Sequence, residues 1–254
     1  MKINNRFISV ILLVLLMGCT TVEGQASEVR TFSGVDGVAL LGSGDLSITI
    51  GNKEEITINA PADLIQYLIT EEKDGTLYIG KRKKGWKKFK HLNENIHYDL
   101  VVKSISRVSV SGSGDIDTDK LSGEKCSVKV SGSGSIEVEQ ISSKKLKVNI
   151  SGSGDIDINN LSADILGVSI NGSGDINIDG KADELDITIS GSGDFTGNKL
   201  KSDNASVNIY GSGDAKVWAT KSLEVHVSGS GNVTYHGDPS INSRTTGSGH
   251  IKHR

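Results

Sequence analysis

Proline and cysteine are almost missing from this chain, with two of each in 254 residues, and aromatic side chains make up only 4% of it. The scarcity of proline excludes collagen-like and proline-rich linker sequence. Two cysteines cannot build the disulfide framework that staples many small exported domains. So few rings leave a core that rests on Ile, Val and Leu, stacked in some regular way. Charge of one sign is not in excess either, since 28 Lys and Arg against 31 Asp and Glu give a net −3. The longest apolar run, Phe7 to Met17, falls short of the ~20 residues that a mature membrane-spanning helix needs. Glycine is what the chain has in excess, 31 residues against a usual ~7%. Spread along the chain, each would cost about 1 kcal/mol inside a helix, which excludes a helical bundle.

The short apolar run has the marks of an export signal. Lys2 and Arg6 precede it, and it ends Leu16-Met17-Gly18-Cys19, similar to the lipobox of bacterial lipoproteins. In that reading residues 1–18 are a signal peptide, and Cys19 carries acyl chains, palmitate among them, as the mature N-terminus. Two or more chains anchor stably where a single chain binds marginally. Thr20 follows the cysteine instead of the Asp that retains many lipoproteins at the inner membrane, so the expected address is the outer membrane, facing the periplasm or the cell surface. Removing two cations and no anions leaves 26 against 31, a mature charge of −5. Cys126 has no partner thiol; alternating with Val128 and Val130, it reads as an inert buried residue of a strand.

The glycines recur at a fixed period. Gly-Ser-Gly starts at residues 42, 112, 132, 152, 172, 191, 211, 229 and 247, with spacings from 112 onward of 20, 20, 20, 19, 20, 18 and 18. Between them apolar residues alternate with Ser, Asn, Asp and Lys at period two, as in Val148, Ile150, Ile156 and Ile158, the pattern of strands with one buried face. A unit of ~20 residues cannot bury that face alone and does so by stacking one strand spacing, about 4.8 Å, above its neighbour. The fold class is therefore all-β, a parallel β-helix whose interior is built of ladders of like residues. A β-propeller needs ~40 residues and four strands per blade, and an antiparallel sandwich does not demand so strict a period. The glycines supply tight corners, and the serines between them, Ser133 and Ser153 for example, are expected to bond one another through stacked hydroxyls.

Residues 19–30 read as a tether, 31–107 as an N-terminal β segment and 108–254 as regular repeats. The first two Gly-Ser-Gly corners lie 70 residues apart where 20 would do, so the N-terminal segment holds an insertion. Ile56-Thr-Ile58 and Leu77-Tyr-Ile79 alternate as strands, and Asp74-Gly75 reads as a hairpin turn between Tyr67-Leu-Ile-Thr70 and the latter. Such an insertion suits a cover for the N-terminal end of the rod.

Several stretches together carry a family resemblance: Phe32-Ser-Gly-Val-Asp-Gly-Val38, Gly42-Ser-Gly-Asp-Leu-Ser-Ile48, Asp74-Gly-Thr-Leu-Tyr-Ile79, Tyr98-Asp-Leu-Val-Val102 and Val108-Ser-Val-Ser-Gly-Ser-Gly-Asp-Ile116. Over nearly all of the mature length the chain resembles the autotransporter-adhesin family with a head GIN domain. The resemblance implies a right-handed single-chain β-helix exported by bacteria and supplies no catalytic residue or cofactor.

Three sets of residues are candidates for chemistry. An acidic or polar residue follows each corner, among them Asp155, Asp175 and Asp194, a weak candidate ladder for divalent cations. The calcium-binding β-rolls it resembles repeat every nine residues, not ~20. Carboxylates stacked at ~4.8 Å would repel by roughly 0.9 kcal/mol in water, so the ladder must be solvated or relieved. Lys81-Arg-Lys-Lys-Gly-Trp-Lys-Lys-Phe-Lys90 sets seven cations and two rings in a mature chain otherwise at −12. Lys83, Lys84, Trp86, Lys87, Lys88 and Phe89 are the candidates to bind anionic lipid headgroups or polysaccharide, the cations through charge and the rings through an interfacial face. Nucleic acid is not expected for an exported chain. The six histidines have no metal-ligand spacing that survives on strands. The function expected is non-enzymatic, a lipid-anchored envelope protein with a binding, adhesive or structural role. The enzymatic alternative is a carbohydrate-active β-helix, which would need long loops walling a cleft.

Overall fold

The structure, a computed structural model, describes residues 24–82 and 95–254. Strands dominate it, and they wind into a parallel β-solenoid of about seven turns. The regular part consists of β9 (Asp115–Gly132), β10 (Ile136–Gly152), β11 (Ile156–Gly172), β12 (Ile176–Gly191), β13 (Phe195–Gly211) and β14 (Ala215–Gly229). Each is one coil, pairing in parallel with the coils before and after it. A coil opens on a first side, Asp115–Thr118 in β9, and closes on a second, Ser127–Gly132, with a third paired stretch, Lys120–Gly123, between them.

The register explains the alternating sequence. Ile156 lies over Ile136 and under Ile176, Val148 between Val128 and Val168, and Leu146 between Cys126 and Leu166. All of these residues are buried, while the residues between them, such as Asp157 and Asn149, face out. Phe195 is a single ring in the Ile136–Ile156–Ile176 ladder and is fully buried.

The corners rest on backbone contact. Gly152 has a φ of +133, and a Cβ built on it would overlap the carbonyl oxygen of Gly132 in the coil below. Gly154 meets Gly134 in the same way although its φ is ordinary, so one glycine is required by both conformation and space and the other by space alone. Ser153 N–H donates to Gly132 O at 2.8 Å and Ser173 N–H to Gly152 O at 2.9 Å. The hydroxyls do not stack as the sequence led us to expect. Ser113, Ser133, Ser153 and Ser173 are exposed, and among the described hydrogen bonds none joins one of these hydroxyls to another. The corner is already satisfied by its peptide groups, which turns the side chains to water.

The 50-residue insertion extends the rod. β2 (Gly37–Gly42) and β3 (Asp45–Ile50) form the two sides of a first coil, with β8 (Arg107–Gly112) and β9 above them. Beneath them, β6 (Thr76–Lys81) pairs in parallel with β2 and β7 (His97–Val102) in parallel with β3. Residues 83–94 thus connect β6 to β7 where the other coils have Gly-Ser-Gly. Below that added coil, β5 (Leu68–Lys73) pairs antiparallel with β6, and β4 (Glu55–Pro61) antiparallel with β7. The β5–β6 hairpin turns at Asp74-Gly75, with φ of 51 and 70.

The tether expected over residues 19–30 requires correction. Gln25–Thr31 is strand β1, paired antiparallel with β4 from Gln25↔Pro61 to Thr31↔Glu55. Its inward residues and the guanidinium of Arg30 close the rod, the latter donating to Leu68 O at 3.0 Å across the gap between the two sides. The other end closes differently. β15 (Val233–His236), β16 (Ser240–Gly247) and β17 (Ile251–His253) form the last coils, and in β16 Ser243 and Thr245 stand in register with buried Val225 and Val227. Polar residues there meet water without exposing a broad apolar floor.

These contacts set two expectations for denaturant melts. Ile156→Asp loses about 4 kcal/mol or more because the carboxylate enters a closed ladder, whereas Asp157→Asn, one residue along and outward, stays within about 0.5 kcal/mol. Gly154→Ala costs about 3 kcal/mol, since the coil spacing must open to admit one methyl.

Candidate functional site

The carboxylates after the corners are occupied by the fold itself. Asp155 Oδ1 accepts the backbone N–H of Asp175 at 2.8 Å, Asp175 Oδ1 that of Asp194 at 2.8 Å, and Asp194 Oδ1 that of Asp214 at 2.7 Å. Asp115 and Asp214 do the same for Ser135 and Asn232, and Asn232 for His250. Each side chain satisfies a corner N–H that the sheet ladder misses, so the repulsion anticipated for a bare acidic column is offset by one charge-assisted hydrogen bond per coil. Asp155, Asp175 and Asp194 therefore do not converge on one point, and among the described residues no group of three acidic, His or Cys side chains is placed to hold a metal ion.

The other sequence candidates fall in two groups. Cys19 and the basic residues Lys83, Lys84, Trp86, Lys87, Lys88 and Phe89 lie outside the described residues. Cys126 is buried, and burial pushes its thiol pKa up, as an inert core position requires. Four of the five described histidines pair locally: His97 with Asp99 at 3.0 Å, and His226, His236 and His253 with the rings of Tyr210, Trp218 and Tyr235.

The N-terminal cap gathers features that the sequence scatters. Ala62 N–H donates to Gly24 O at 2.9 Å, Leu64 N–H to Pro61 O, and Arg82 N–H to Tyr67 O at 2.8 Å. Gln25 pairs with Pro61 while Asn59 pairs with His97, which sets the start of β1 two strand spacings, roughly 10 Å, from the entry to β7. Residue 24 and both ends of the 83–94 connection thus meet at one corner of the rod. Beside it, between the edges of β1 and β5, is a cleft of about 380 Å³ with Phe32, Leu68 and Leu77 along its apolar part and Arg30 and Arg82 among its polar lining. Lys81 is close by, donating to Ser43 Oγ at 2.7 Å, and partial burial lowers its pKa.

The outer faces of the solenoid differ from one another. On the second side small uncharged residues, Asn149, Ser151, Ser169, Asn171, Thr188, Ser190 and Asn208, are mixed with isolated charges of both signs, Lys129, Lys147, Asp186 and Glu224, and Tyr210 is 49% exposed. On the first side the outward residues are strongly charged. Asp117 is pushed above the ordinary carboxylate range, first by burial and then by Glu137, Asp115 and Asp45. Neither contrast stands out from the sequence, because both belong to alternate residues of one strand read across coils.

The match to family models covers residues 34–239 and carries the description "Putative auto-transporter adhesin, head GIN domain". The chain belongs to this family. Among solved structures, a putative lipid binding protein from Parabacteroides distasonis ATCC 8503 is 28% identical, with 91% of this chain and 97% of that one covered and a TM-score of 0.81. A putative adhesin from the same strain is 26% identical over 91% and 97%, with a TM-score of 0.84. A putative adhesin from Parabacteroides merdae ATCC 43184 shares the fold at 24% identity, 91% and 96% coverage and a TM-score of 0.84. No curated protein matches. The GIN-domain family assignment agrees with the β-helix reading.

In this family member the Asp ladder is structural, which makes it testable apart from any ligand. Asp175→Ala, which strands the Asp194 N–H, is expected to cost about 1–2 kcal/mol, and Asp175→Asn, which keeps an acceptor oxygen, less than half of that. Millimolar calcium should leave the thermal midpoint of the wild type unmoved.

Proposed function

We propose that this protein is a lipid-anchored component of the bacterial outer membrane that acts without catalysis, presenting its solenoid faces for adhesion while its N-terminal cap rests on the bilayer. The observation that carries this reading is the meeting of residue 24 and residues 82 and 95 at one corner of the cap. Cys19 precedes Gly24 by five residues, a reach of at most about 18 Å. An acylated Cys19 and the cationic 83–94 connection would then act on one patch of membrane, the two-signal arrangement that turns marginal attachment into stable anchoring. The names of two relatives above 25% identity, a putative adhesin and a putative lipid binding protein, support the same reading. The coils from β9 to β14 follow one another at the corners without inserted loops, which leaves the carbohydrate-active alternative without a walled cleft on those coils.

Two measurements test it. Labelled palmitate should enter the wild-type chain in the bacterium and not Cys19→Ala; equal labelling of both would refute the anchor. With an unlipidated chain, replacing Lys83, Lys84, Lys87 and Lys88 by Gln should weaken binding to anionic vesicles or lipopolysaccharide about tenfold or more, from ~1 kcal/mol per cation near the surface, with fold stability unchanged. Added salt should mimic that loss. Trp86→Ala should weaken binding in a way that salt does not reproduce. A wild type without salt-sensitive binding to either surface would remove the basic segment from the site.

A further inference from the structure

The first side of the solenoid carries its charges in separate blocks. Reading outward residues coil by coil, β9 presents Asp117 and Asp119, β10 Glu137 and Glu139, and β11 Asp157 with Asn159. β12 and β13 follow with Asn177 and Thr196, and the next outward residue of β12, Asp179, is neutralised by Lys199 of β13. Beyond them β14 presents Lys216 and Trp218, β15 Thr234 and His236, and the last coil Lys252, followed by Arg254. One end of the face is acidic, its middle is neutral and its far end is basic. Elsewhere on the surface some charges are neutralised between neighbouring coils, as in Lys144–Glu124 and Lys221–Asp203. On this face Asp117, Asp119, Glu137, Glu139, Asp157, Lys216, Lys252 and Arg254 have no ion-pair partner among the described residues.

Such a pattern is self-complementary about its own centre. Turn a second copy through half a revolution about an axis between β12 and β13, and β9 falls opposite the last coil, β11 opposite β14 and β12 opposite β13. Asp117 and Asp119 then meet Lys252 and Arg254, Asp157 meets Lys216, and Trp218 comes to the acidic half of the other copy. A two-fold interface requires that arrangement, since each contact made by one copy is made in return by the other. From β9 to β17 the face is roughly 38 Å long and 16 Å wide, which gives roughly 1,200 Å² over both copies, the lower bound for specific association.

We propose that the first side of the solenoid is a homophilic docking surface that pairs two copies of this chain antiparallel. Antiparallel pairing sends the two N-terminal caps in opposite directions. With each cap on a bilayer, the pair joins two facing membranes, so the partner of this adhesin-like rod is the same rod on another surface. That geometry rests on the anchoring proposed above; the pairing itself does not.

Sedimentation of the lipid-free chain from Thr20 onward, which keeps every strand, provides the test. A dimer is expected near 50 mM salt, weakening at least tenfold by about 500 mM as screening shortens. Asp117→Lys with Asp119→Lys should give a monomer, and so should Lys252→Glu with Arg254→Glu. Mixing the two variants should restore a heterodimer, because both contacts are then between opposite charges. Spin labels on Thr49→Cys, just outside the footprint, should lie roughly 43 Å apart along the axis in the antiparallel pair, and much closer in a parallel one. A wild type monomeric at low salt, a mixture that stays monomeric, or a short label distance would each overturn the proposal. None of these outcomes bears on palmitate labelling, so the anchor and the pairing stand or fall separately.

Discussion

Everything regular in this molecule depends on one backbone contact at the Gly-Ser-Gly corner. Successive coils are held about 4.8 Å apart by parallel strand pairing, and at the corner the peptide groups of one coil sit on those of the next with no room for a Cβ on either glycine. The two glycines fix where the chain turns, and the turn fixes which residues of the following strand point inward. Ile136, Ile156, Ile176 and Phe195 share a ladder because their corners are stacked, and the Asp side chains reach the N–H of the next coil for the same reason. Stability in such a stack is close to a sum of coil and interface terms.

A stack of this kind has no intrinsic end, and the chain stops it in two ways. At the N-terminus the 50-residue insertion adds a coil of its own, β6 and β7, and then reverses strand direction with β5, β4 and β1, with Arg30 bridging the two sides. At the other end the ladders run out in Ser243 and Thr245. The two ends therefore differ in chemistry, the first bringing Gly24, Arg82 and residue 95 to one corner beside a cleft of about 380 Å³. A rod with distinguishable ends has an orientation to offer a membrane, which a uniform solenoid lacks.

The outward residues are free of these constraints, which is why the fold persists at 24–28% identity among relatives. They are where one family member can differ from another in what it binds. In this chain that freedom has produced one side where small polar residues are mixed with scattered charges of both signs and one side of separated charge blocks. The first side holds carboxylates against carboxylates across β9 and β10, and Asp117 is pushed up by burial first and by Glu137, Asp115 and Asp45 after it.

The amino-acid sequence alone determined the fold class, the period, the buried ladders and the Asp74-Gly75 hairpin. Those follow from local rules, alternation at period two and glycine at fixed spacing, which need no partner to be read. It also marked Cys19 and the cations of residues 81–90 as candidates. It did not show the backbone role of Asp155, Asp175 and Asp194, the outward serine hydroxyls, or the strand in the C-terminal part of the 19–30 tether, since each depended on which neighbour satisfied a polar group or paired with a strand. Only the tertiary structure decided that Gly24, Arg82 and residue 95 share a corner, and that Asp117 and Lys252 lie on one face. Residues more than a hundred positions apart come together there through coil stacking, and the register that aligns them is set by the hydrogen bonds between coils.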